Sequence, residues 1–239
     1  TNYGPIAAIW FDGMWDQPDG FDWKLEEQYK LIHKLQPACL IGNNHHKTPY
    51  PGEDFQMFER DLPGENKAGF SGQSVVGNLL LETCETMNGM WGYKIKDQNY
   101  KSVTDLVRLL VRAAGKGANL LMNIGPQPNG ELPAVAVERL KGVGEWMSKY
   151  GETIYGTTAG NVMSASWGTT TRKDNMLYVH LLADRMPQFV TLPVTERVVT
   201  STLFGTSEKV KWEKIQGGIV LHTENLKPSV DCIVALKLK

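Results

Sequence analysis

Asp12 is the first side chain in the sequence whose surroundings suggest chemistry. It ends an apolar run over residues 5–12 that has no helical period, which is typical of a buried parallel strand. In α/β sheets the reacting groups lie at the carboxyl ends of such strands. Trp10, Phe11 and Trp15 flank the carboxylate, and aromatic faces stack on sugar rings. The pattern therefore indicates a glycosidase nucleophile, or else a residue that caps the next turn.

A retaining glycosidase needs a second carboxyl group, about 5–5.5 Å from the first, as its general acid and base. Candidates lie in the long segment over residues 43–78 and in the strand predicted after it: Glu53, Asp54, Glu59, Asp61, Glu65, Glu82 and Glu85. Residue type and spacing alone do not choose among them.

The elements that must position these groups alternate through the first 150 residues. Short apolar runs at residues 5–12, 38–42, 79–83 and 119–124 predict four strands. Helical patterns begin near Asp22, at Ser102, which forms a capping box with Asp105, and at Pro133. We predict that residues 43–78 form a long loop. This alternation predicts a parallel sheet with helical crossovers.

The pattern changes after Gly151, where short alternating runs separated by turn residues predict an antiparallel β-sandwich. We therefore predict two domains, over residues 1–150 and 151–239. A complete (β/α)8 barrel takes about 250 residues and eight strands. An α/β part with four strands thus predicts an α/β fold that contains half of such a barrel, followed by the sandwich.

Composition excludes several classes of function. The chain has 25 basic and 26 acidic residues in 239, which gives no electrostatic footprint for nucleic acid or an anionic membrane. No apolar run approaches the roughly 20 residues of a membrane span, and the first residues do not resemble a signal peptide, so we expect a soluble chain. Three widely spaced cysteines indicate neither a disulfide framework nor a zinc site.

Two short motifs have simple alternative interpretations. His45 and His46 are adjacent and suggest a metal pair, but no third ligand is spaced to join them, so we predict no metal. Residues 115–117 (Gly-Lys-Gly) lie between a helix and a strand, whereas phosphate loops lie between a strand and a helix. We therefore do not expect a nucleotide-binding domain.

A series of motifs carries a more specific signal. The motifs are Trp-Phe-Asp-Gly at 10–13, Leu-Gln-Pro at 35–37 followed by Asn-Asn at 43–44, the stretch 53–64, Leu-Glu-Thr-Cys at 81–84, Trp-Gly-Tyr at 91–93, and the stretch 117–126. In this order they resemble the α-L-fucosidases of glycoside hydrolase family 29, over about residues 4–158. The resemblance implies the second half of a (β/α)8 barrel followed by an antiparallel β-sandwich.

The resemblance also implies roles for the two catalytic carboxylates. The aspartate that ends the Trp-Phe-Asp-Gly strand is the nucleophile in that family, which corresponds to Asp12. The acid/base commonly closes a pattern of Asp, an aromatic residue, three residues and Glu. Asp54, Phe55 and Glu59 fit this pattern, so Glu59 is the expected acid/base, with Glu53 as the alternative.

Further residues are expected to contact the substrate. Glu82 corresponds to a supporting carboxylate in the family's Trp-Glu-x-Cys signature, although Leu81 replaces the tryptophan here. Trp91 corresponds to an aromatic residue that packs on the fucose methyl group. Many relatives have Asn-Asp-Arg after the second strand, whereas here His45 stands at the arginine position and His46 follows it.

The activity implied is that of an exo-acting, retaining α-L-fucosidase that works by double displacement on fucosylated oligosaccharides or glycoconjugates, without a metal or cofactor. A non-catalytic carbohydrate-binding half-barrel is the alternative. Because half a barrel exposes sheet edges and apolar faces, we expect a second polypeptide or fragment to supply the first half. We expect neither a nucleic-acid partner nor a membrane span. The resemblance implies a secreted, periplasmic or lysosome-like location.

Overall fold

The computed structural model describes residues 2–70, 75–160, 162 and 164–239, and the chain divides into two compact units. The first unit comprises Thr1–Thr86 and Ala118–Asn123, and the second comprises Met87–Gly117 and Ile124–Lys239. Within the described ranges, the helices that the structure contains are all too short or too polar to cross a bilayer.

The first unit is built on a parallel sheet. Its strands are β1 (Ala8–Phe11), β2 (Leu40–Asn43), β3 (Phe55–Glu59), β4 (Leu80–Thr86) and β5 (Ala118–Asn123), and they lie in chain order across the sheet. Helix α1 (Leu25–Leu35) connects β1 to β2, and Tyr29 on its buried face packs edge-on against Phe11 of β1 at 5.3 Å between ring centroids. The predicted parallel sheet is confirmed.

The prediction of a continuous loop over residues 43–78 was wrong, because β3 lies within it. This strand has only five residues, and its polar members Gln56 and Glu59 interrupt the apolar pattern by which the other strands were recognised. Its apolar side chains Phe55, Met57 and Phe58 are nonetheless buried. The described part of the sheet therefore has five parallel strands where four were predicted.

The register of the sheet places the chemistry-bearing side chains on one face. Met57 pairs with Glu82, and Glu59 pairs with Cys84 in the next strand. Gly42 pairs with Trp10 on one side and with Phe55 on the other. A Cβ at Gly42 would lie 2.2 Å from the Phe55 ring, so glycine lets this ring pack directly on the β2 backbone.

The second unit contains helices α2 (Val103–Gly115) and α3 (Ala134–Tyr150) and eight antiparallel strands among its described residues. The strands are β6 (Thr158–Ala159), β7 (Gly168–Lys173), β8 (Met176–Leu181), β9 (Phe189–Leu192), β10 (Val198–Leu203), β11 (Trp212–Ile215), β12 (Gly218–His222) and β13 (Cys232–Leu238). They form a five-stranded sheet in the order β10, β13, β8, β7, β6 and a three-stranded sheet in the order β11, β12, β9. The predicted capping box of α2 is confirmed, because Ser102 and Asp105 exchange hydrogen bonds.

Two apolar clusters form the core of the second unit. One cluster draws Leu177, Val179 and Leu181 of β8 together with residues of both sheets, including Leu192 and Leu221. The other packs Val107 and Val111 of α2 and Trp146 of α3 against Tyr178 and Ile233. One face of the five-stranded sheet thus contacts the three-stranded sheet, and the other contacts the helices.

Candidate active site

Asp12, Asn44 and Glu59 meet at the carboxyl edge of the parallel sheet. Asp12 follows β1, Asn44 follows β2, and Glu59 ends β3. The Asn44 Nδ2 group donates to Asp12 Oδ1 at 3.3 Å and to Glu59 Oε2 at 2.7 Å. The two carboxylate oxygens that share this amide therefore lie within about 6 Å of each other. Three consecutive strands of the sheet bring this group together.

Backbone geometry fixes each member of this group. The Asn44 backbone N–H donates to Phe11 O at 2.9 Å, which extends the β1–β2 pairing up to the site. Gly13 turns the chain away after Asp12 with a φ of 82°, a left-handed conformation that glycine adopts readily. The Arg60 backbone N–H donates to Cys84 O at 2.8 Å and so ties the end of β3 to β4.

His46 lies beside the second carboxylate. Its Nε2 atom is 3.4 Å from Glu59 Oε2, and both side chains are largely buried. The His46 ring stacks on Phe70 at 4.0 Å with an interplanar angle of 7°, and its φ of 57° is left-handed, which is uncommon outside glycine. A strained backbone conformation at this position is consistent with a functional constraint.

His45 and Glu53 belong to a buried network next to this group. His45 Nε2 lies 3.1 Å from Glu53 Oε1, and its Nδ1 atom accepts the Lys47 backbone N–H at 3.0 Å. Because Nδ1 is an acceptor, the proton is on Nε2 and the neutral ring donates to Glu53. The Tyr29 hydroxyl donates to the same Glu53 oxygen at 2.9 Å, and the Tyr50 backbone N–H donates to the other at 3.1 Å. The network holds the start of the segment that carries Asn44 and His46.

The raised pKa of Tyr29 shows that this network is shielded from water. Burial, as the largest effect, raises the pKa of the Tyr29 phenol, and the neighbouring Glu53 carboxylate raises it further. The neutral hydroxyl accepts from Asn43 Nδ2 at 2.7 Å while it donates to Glu53. No sequence pattern marks the role of Tyr29 as a hydrogen-bonding partner.

Glu82 and Cys84 lie on the same face of the sheet as the carboxylate pair. Trp10 Nε1 donates to Glu82 Oε1 at 3.2 Å, and burial raises the pKa of the Glu82 carboxyl. Burial also raises the pKa of the Cys84 thiol to about 12, with smaller contributions from the charges of Glu59, Glu82 and Asp12. The Cys84 thiol is therefore protonated at neutral pH.

Asp54, the first residue of the pattern that ends at Glu59, has a structural role in this sheet. Its Oδ2 atom accepts the Ile41 backbone N–H at 2.8 Å and lies 3.1 Å from His33 Nε2. Its own N–H donates to Ile41 O at 2.7 Å. Asp54 thus joins the start of β3 to β2, and four residues of extended chain then place Glu59 at the carboxyl edge.

Trp91 belongs to the second unit, in the segment between β4 and α2. Asp97 organises this segment by accepting the backbone N–H groups of Gly89 and Asn99 at 2.9 and 3.2 Å. A Cβ at Gly125 would lie 2.4 Å from the Gly92 carbonyl carbon, so the chain after β5 passes in direct contact with the segment. Trp91 is about one third exposed.

The structure brings together Asp12, Glu59 and His46 among the predicted site residues and places His45 and Glu53 in the adjoining network. Sequence reasoning named Asn44 only as part of the Asn-Asn motif at 43–44 and did not assign it to the site. Its position after β2, opposite Asp12, was the available signal. In residues 2–70, 75–160, 162 and 164–239, no cluster of three His, Cys, Asp or Glu side chains has the arrangement of a metal site.

Parallel strands with paired carboxylates at their carboxyl edge are the arrangement that α/β glycoside hydrolases use. The chain belongs to the alpha-L-fucosidase family, because the sequence profile of the family described as "Alpha-L-fucosidase" matches residues 1–152.

Curated relatives and solved structures support this assignment. The chain is similar to the alpha-L-fucosidase of Branchiostoma floridae, with 31% identity over 88% of the chain and 47% of the relative. It is 28% identical to that of Dictyostelium discoideum over 96% of the chain and 49% of the relative. It also superposes on alpha-L-fucosidase isoenzyme 1 from Paenibacillus thiaminolyticus with a TM-score of 0.81 and 31% identity, over 100% of the chain and 59% of that protein. The chain spans about half the length of the curated relatives it matches.

Proposed function

We propose that the chain carries the catalytic carboxylates of an exo-acting, retaining α-L-fucosidase, which releases terminal α-L-fucosyl groups from oligosaccharides or glycoconjugates. The observation that carries this proposal is the Asn44 amide shared by Asp12 and Glu59, which keeps two of their oxygens within about 6 Å. Retaining enzymes hold their carboxyl groups about 5–5.5 Å apart, whereas inverting enzymes need roughly 6.5–9.5 Å to admit a water molecule. The upper bound of about 6 Å lies below the range of inverting enzymes and therefore favours retention.

In the first step Asp12 attacks the anomeric carbon and forms a fucosyl ester, while the protonated Glu59 gives its proton to the departing glycosidic oxygen. In the second step Glu59 removes a proton from water, and the resulting hydroxyl displaces Asp12 and releases fucose. Both carboxyl groups return to their starting states. The two displacements invert the anomeric carbon twice, so the product retains the configuration of the substrate. The scheme needs no metal or cofactor.

The remaining predicted site residues are proposed to bind the sugar in the glycone site or to shape it. Glu82 extends the carboxylate-bearing face and is hydrogen-bonded to Trp10. We propose that Trp91 packs on the fucose methyl group. His46 lies against Glu59, and the His45–Glu53 pair supports the segment that follows β2.

We propose that residues 1–150 form the C-terminal half of a (β/α)8 barrel, with residues 151–239 as a β-sandwich domain. A second polypeptide or fragment would supply the first half of the barrel. Exposed apolar side chains on the carboxylate-bearing face support this, since Leu40, Leu80 and Leu121 are 40%, 65% and 45% exposed. A half-barrel that only binds carbohydrate is the alternative, and the carboxylate pair favours the enzyme.

Substitution of each carboxylate, assayed with an activated aryl fucoside with and without azide, tests the proposal in the assembly that shows activity. We expect Asp12→Gly to lose turnover and to form the β-fucosyl azide with azide, because azide then takes the place of the nucleophile. We expect Glu59→Gly to form the α-fucosyl azide, because azide then attacks the fucosyl ester. Glu65→Gly, in the same segment, is the matched control and should keep normal turnover. Unchanged turnover in Asp12→Gly would overturn the assignment.

A further inference from the structure

A groove of about 290 Å³ lies in the first unit between the segment after β1 and the segment after β2. Its aromatic lining comprises Trp15, Phe21, Trp23 and Tyr50, and its polar lining includes Asn44 and His46. We call it the aromatic groove. It is distinct from the sheet face that carries Trp10 and Glu82, because it is built from the segments that leave the carboxyl edge.

Two of the four rings of this groove are presented to solvent. Trp15 is 78% exposed and Phe21 is 49% exposed, although each carries a large apolar surface whose hydration is unfavourable. Trp15 lies in a short 3-10 turn, Met14–Asp16, directly after Gly13. Phe21 packs edge-on against Trp23 at 4.9 Å between ring centroids, which holds the second ring in place. Exposed rings clustered at the rim of a cavity mark a binding surface rather than a core.

The groove lies next to the proposed acid/base, because two of its lining residues contact Glu59. Asn44 lines the groove and donates to Glu59, and His46 lines it and lies 3.4 Å from Glu59. A general acid must come within about 2.6–3.2 Å of the oxygen that it protonates. The leaving group, which is bonded to that oxygen, must therefore extend from Glu59 along the nearby walls of the groove. Asn44 Oδ1 is buried and has no hydrogen-bond partner in the described part of the chain, so one acceptor of this groove-lining residue is unsatisfied.

We propose that the aromatic groove is the leaving-group subsite, in which the first pyranose ring of the departing glycan stacks on Trp15 and Phe21. This inference rests on the proposed function and names the class of substrate. The C–H bonds on one face of a pyranose ring match the negative face of an aromatic ring. Asp19 and Lys47 line the groove with one charge of each sign, so a neutral sugar fits better than an anionic one.

The test compares two fucosyl substrates of the active assembly. α-L-Fucosyl fluoride has a single-atom leaving group that cannot reach the groove, whereas an α-L-fucosyl disaccharide with a neutral second sugar places that sugar in it. We expect Trp15→Ala to lower the ratio of kcat/KM for the disaccharide to kcat/KM for the fluoride by at least about tenfold. Tyr3→Ala removes a ring that is 89% exposed outside the groove and should leave the ratio unchanged. An unchanged ratio in Trp15→Ala would overturn the inference.

A binding measurement separates failure of this inference from failure of the proposed function. Ligand-observed NMR with the free second sugar should show binding to the unsubstituted protein and at least about tenfold weaker binding to Trp15→Ala. If the unsubstituted protein turns over neither substrate, the proposed function fails, and the NMR result still decides whether the groove binds sugar. Equal binding by the unsubstituted protein and Trp15→Ala contradicts the proposed subsite.

Discussion

At the scale of single residues, the Asn44 amide determines the spacing of the carboxylate pair. One amide nitrogen that donates to both carboxyl groups keeps two of their oxygens within about 6 Å of each other. Its position follows from the backbone bond to Phe11, which continues the sheet one residue beyond β2. The sequence marks the strand end, but whether a side chain there donates to one carboxylate or to two depends on register across three strands.

Asn44→Ala should therefore lower kcat/KM while the chain remains folded. A hydrogen bond to a charged group contributes about 1.5–3 kcal/mol, so loss of this donor should cost roughly tenfold to a hundredfold in kcat/KM. Steady-state kinetics with an aryl fucoside, together with circular dichroism, would measure this. Asn129→Ala removes an amide that bonds Glu131 on an exposed turn and serves as the control. Equal kinetics in the two variants would show that the shared amide has no catalytic importance.

The buried carboxyl group of Glu82 leads to a prediction about how the stability of the chain depends on pH. Burial raises the pKa of its carboxyl above the ordinary value of 4.5, so the folded state holds this proton at pH values where the unfolded state has released it. The folded state is then progressively destabilised as pH rises from about 4.5 through the raised pKa. Glu82→Gln removes this penalty and keeps an acceptor for Trp10. As pH rises over that range, the melting temperature of the variant should increasingly exceed that of the unsubstituted protein. At lower pH it should not exceed it. A difference that does not vary with pH would refute the explanation.

At the scale of elements, the sequence predicted the strands that are nearly continuous apolar runs and missed the one that is not. β3 was hidden because Gln56 and Glu59 occupy two of its five positions, and because Asp54 reads as an ordinary loop carboxylate. The structure explains all three polar residues: Asp54 bonds β2, Gln56 bonds Val75 and Gly77, and Glu59 reaches the site. Such tertiary partners leave no periodic signal in a single sequence.

The contact between the chain after β5 and the Trp91 segment yields a prediction at the same scale. Gly125→Ala would place a Cβ 2.4 Å from the backbone of Gly92 and Tyr93, so one of the two segments must move. We expect the variant to be destabilised by about 1–3 kcal/mol, the usual cost of overpacking, with altered Trp91 fluorescence. Urea denaturation followed by fluorescence would measure both effects.

Gly144→Ala is the matched control for this experiment. Gly144 lies in α3, and a Cβ there would have no neighbour within 4 Å. Alanine is favoured over glycine inside helices, so this variant should be as stable as the unsubstituted chain or slightly more so. If Gly125→Ala behaves in the same way, the close approach has no energetic consequence.

At the scale of the whole molecule, the carboxylate-bearing face is the proposed surface for a partner that would supply the first half of the barrel. Leu40, Leu80 and Leu121 are exposed beside the buried Met57 and Cys84 on that face. Apolar surface of this kind is stabilised by burial, at about 1.5–3 kcal/mol for a fully buried leucine. A partner was expected from the number of strands, and the register places these exposed leucines on one face of the sheet.

Leu121→Asp should weaken association with a polypeptide that carries the first half of a barrel of this family. Burial of an unpaired carboxylate adds its own penalty to the lost apolar contact, so we expect at least about tenfold weaker binding. Size-exclusion chromatography with light scattering would follow the complex. Val199→Asp changes a valine that is 50% exposed in the second unit and should leave the complex intact. A complex that tolerates both substitutions equally would exclude this face as the interface.

The raised pKa of Cys84 has a consequence for chemical selectivity. A thiolate is a stronger nucleophile than a carboxylate, and a free one on this face would compete with Asp12 for an electrophilic sugar. With a pKa of about 12, the Cys84 thiol stays protonated at neutral pH, and its neighbours Glu59, Glu82 and Asp12 contribute to that shift. Burial, with a smaller contribution from the carboxylates that are proposed to perform the reaction, thus keeps this thiol unreactive, and an electrophilic fucose analogue should label Asp12 rather than Cys84.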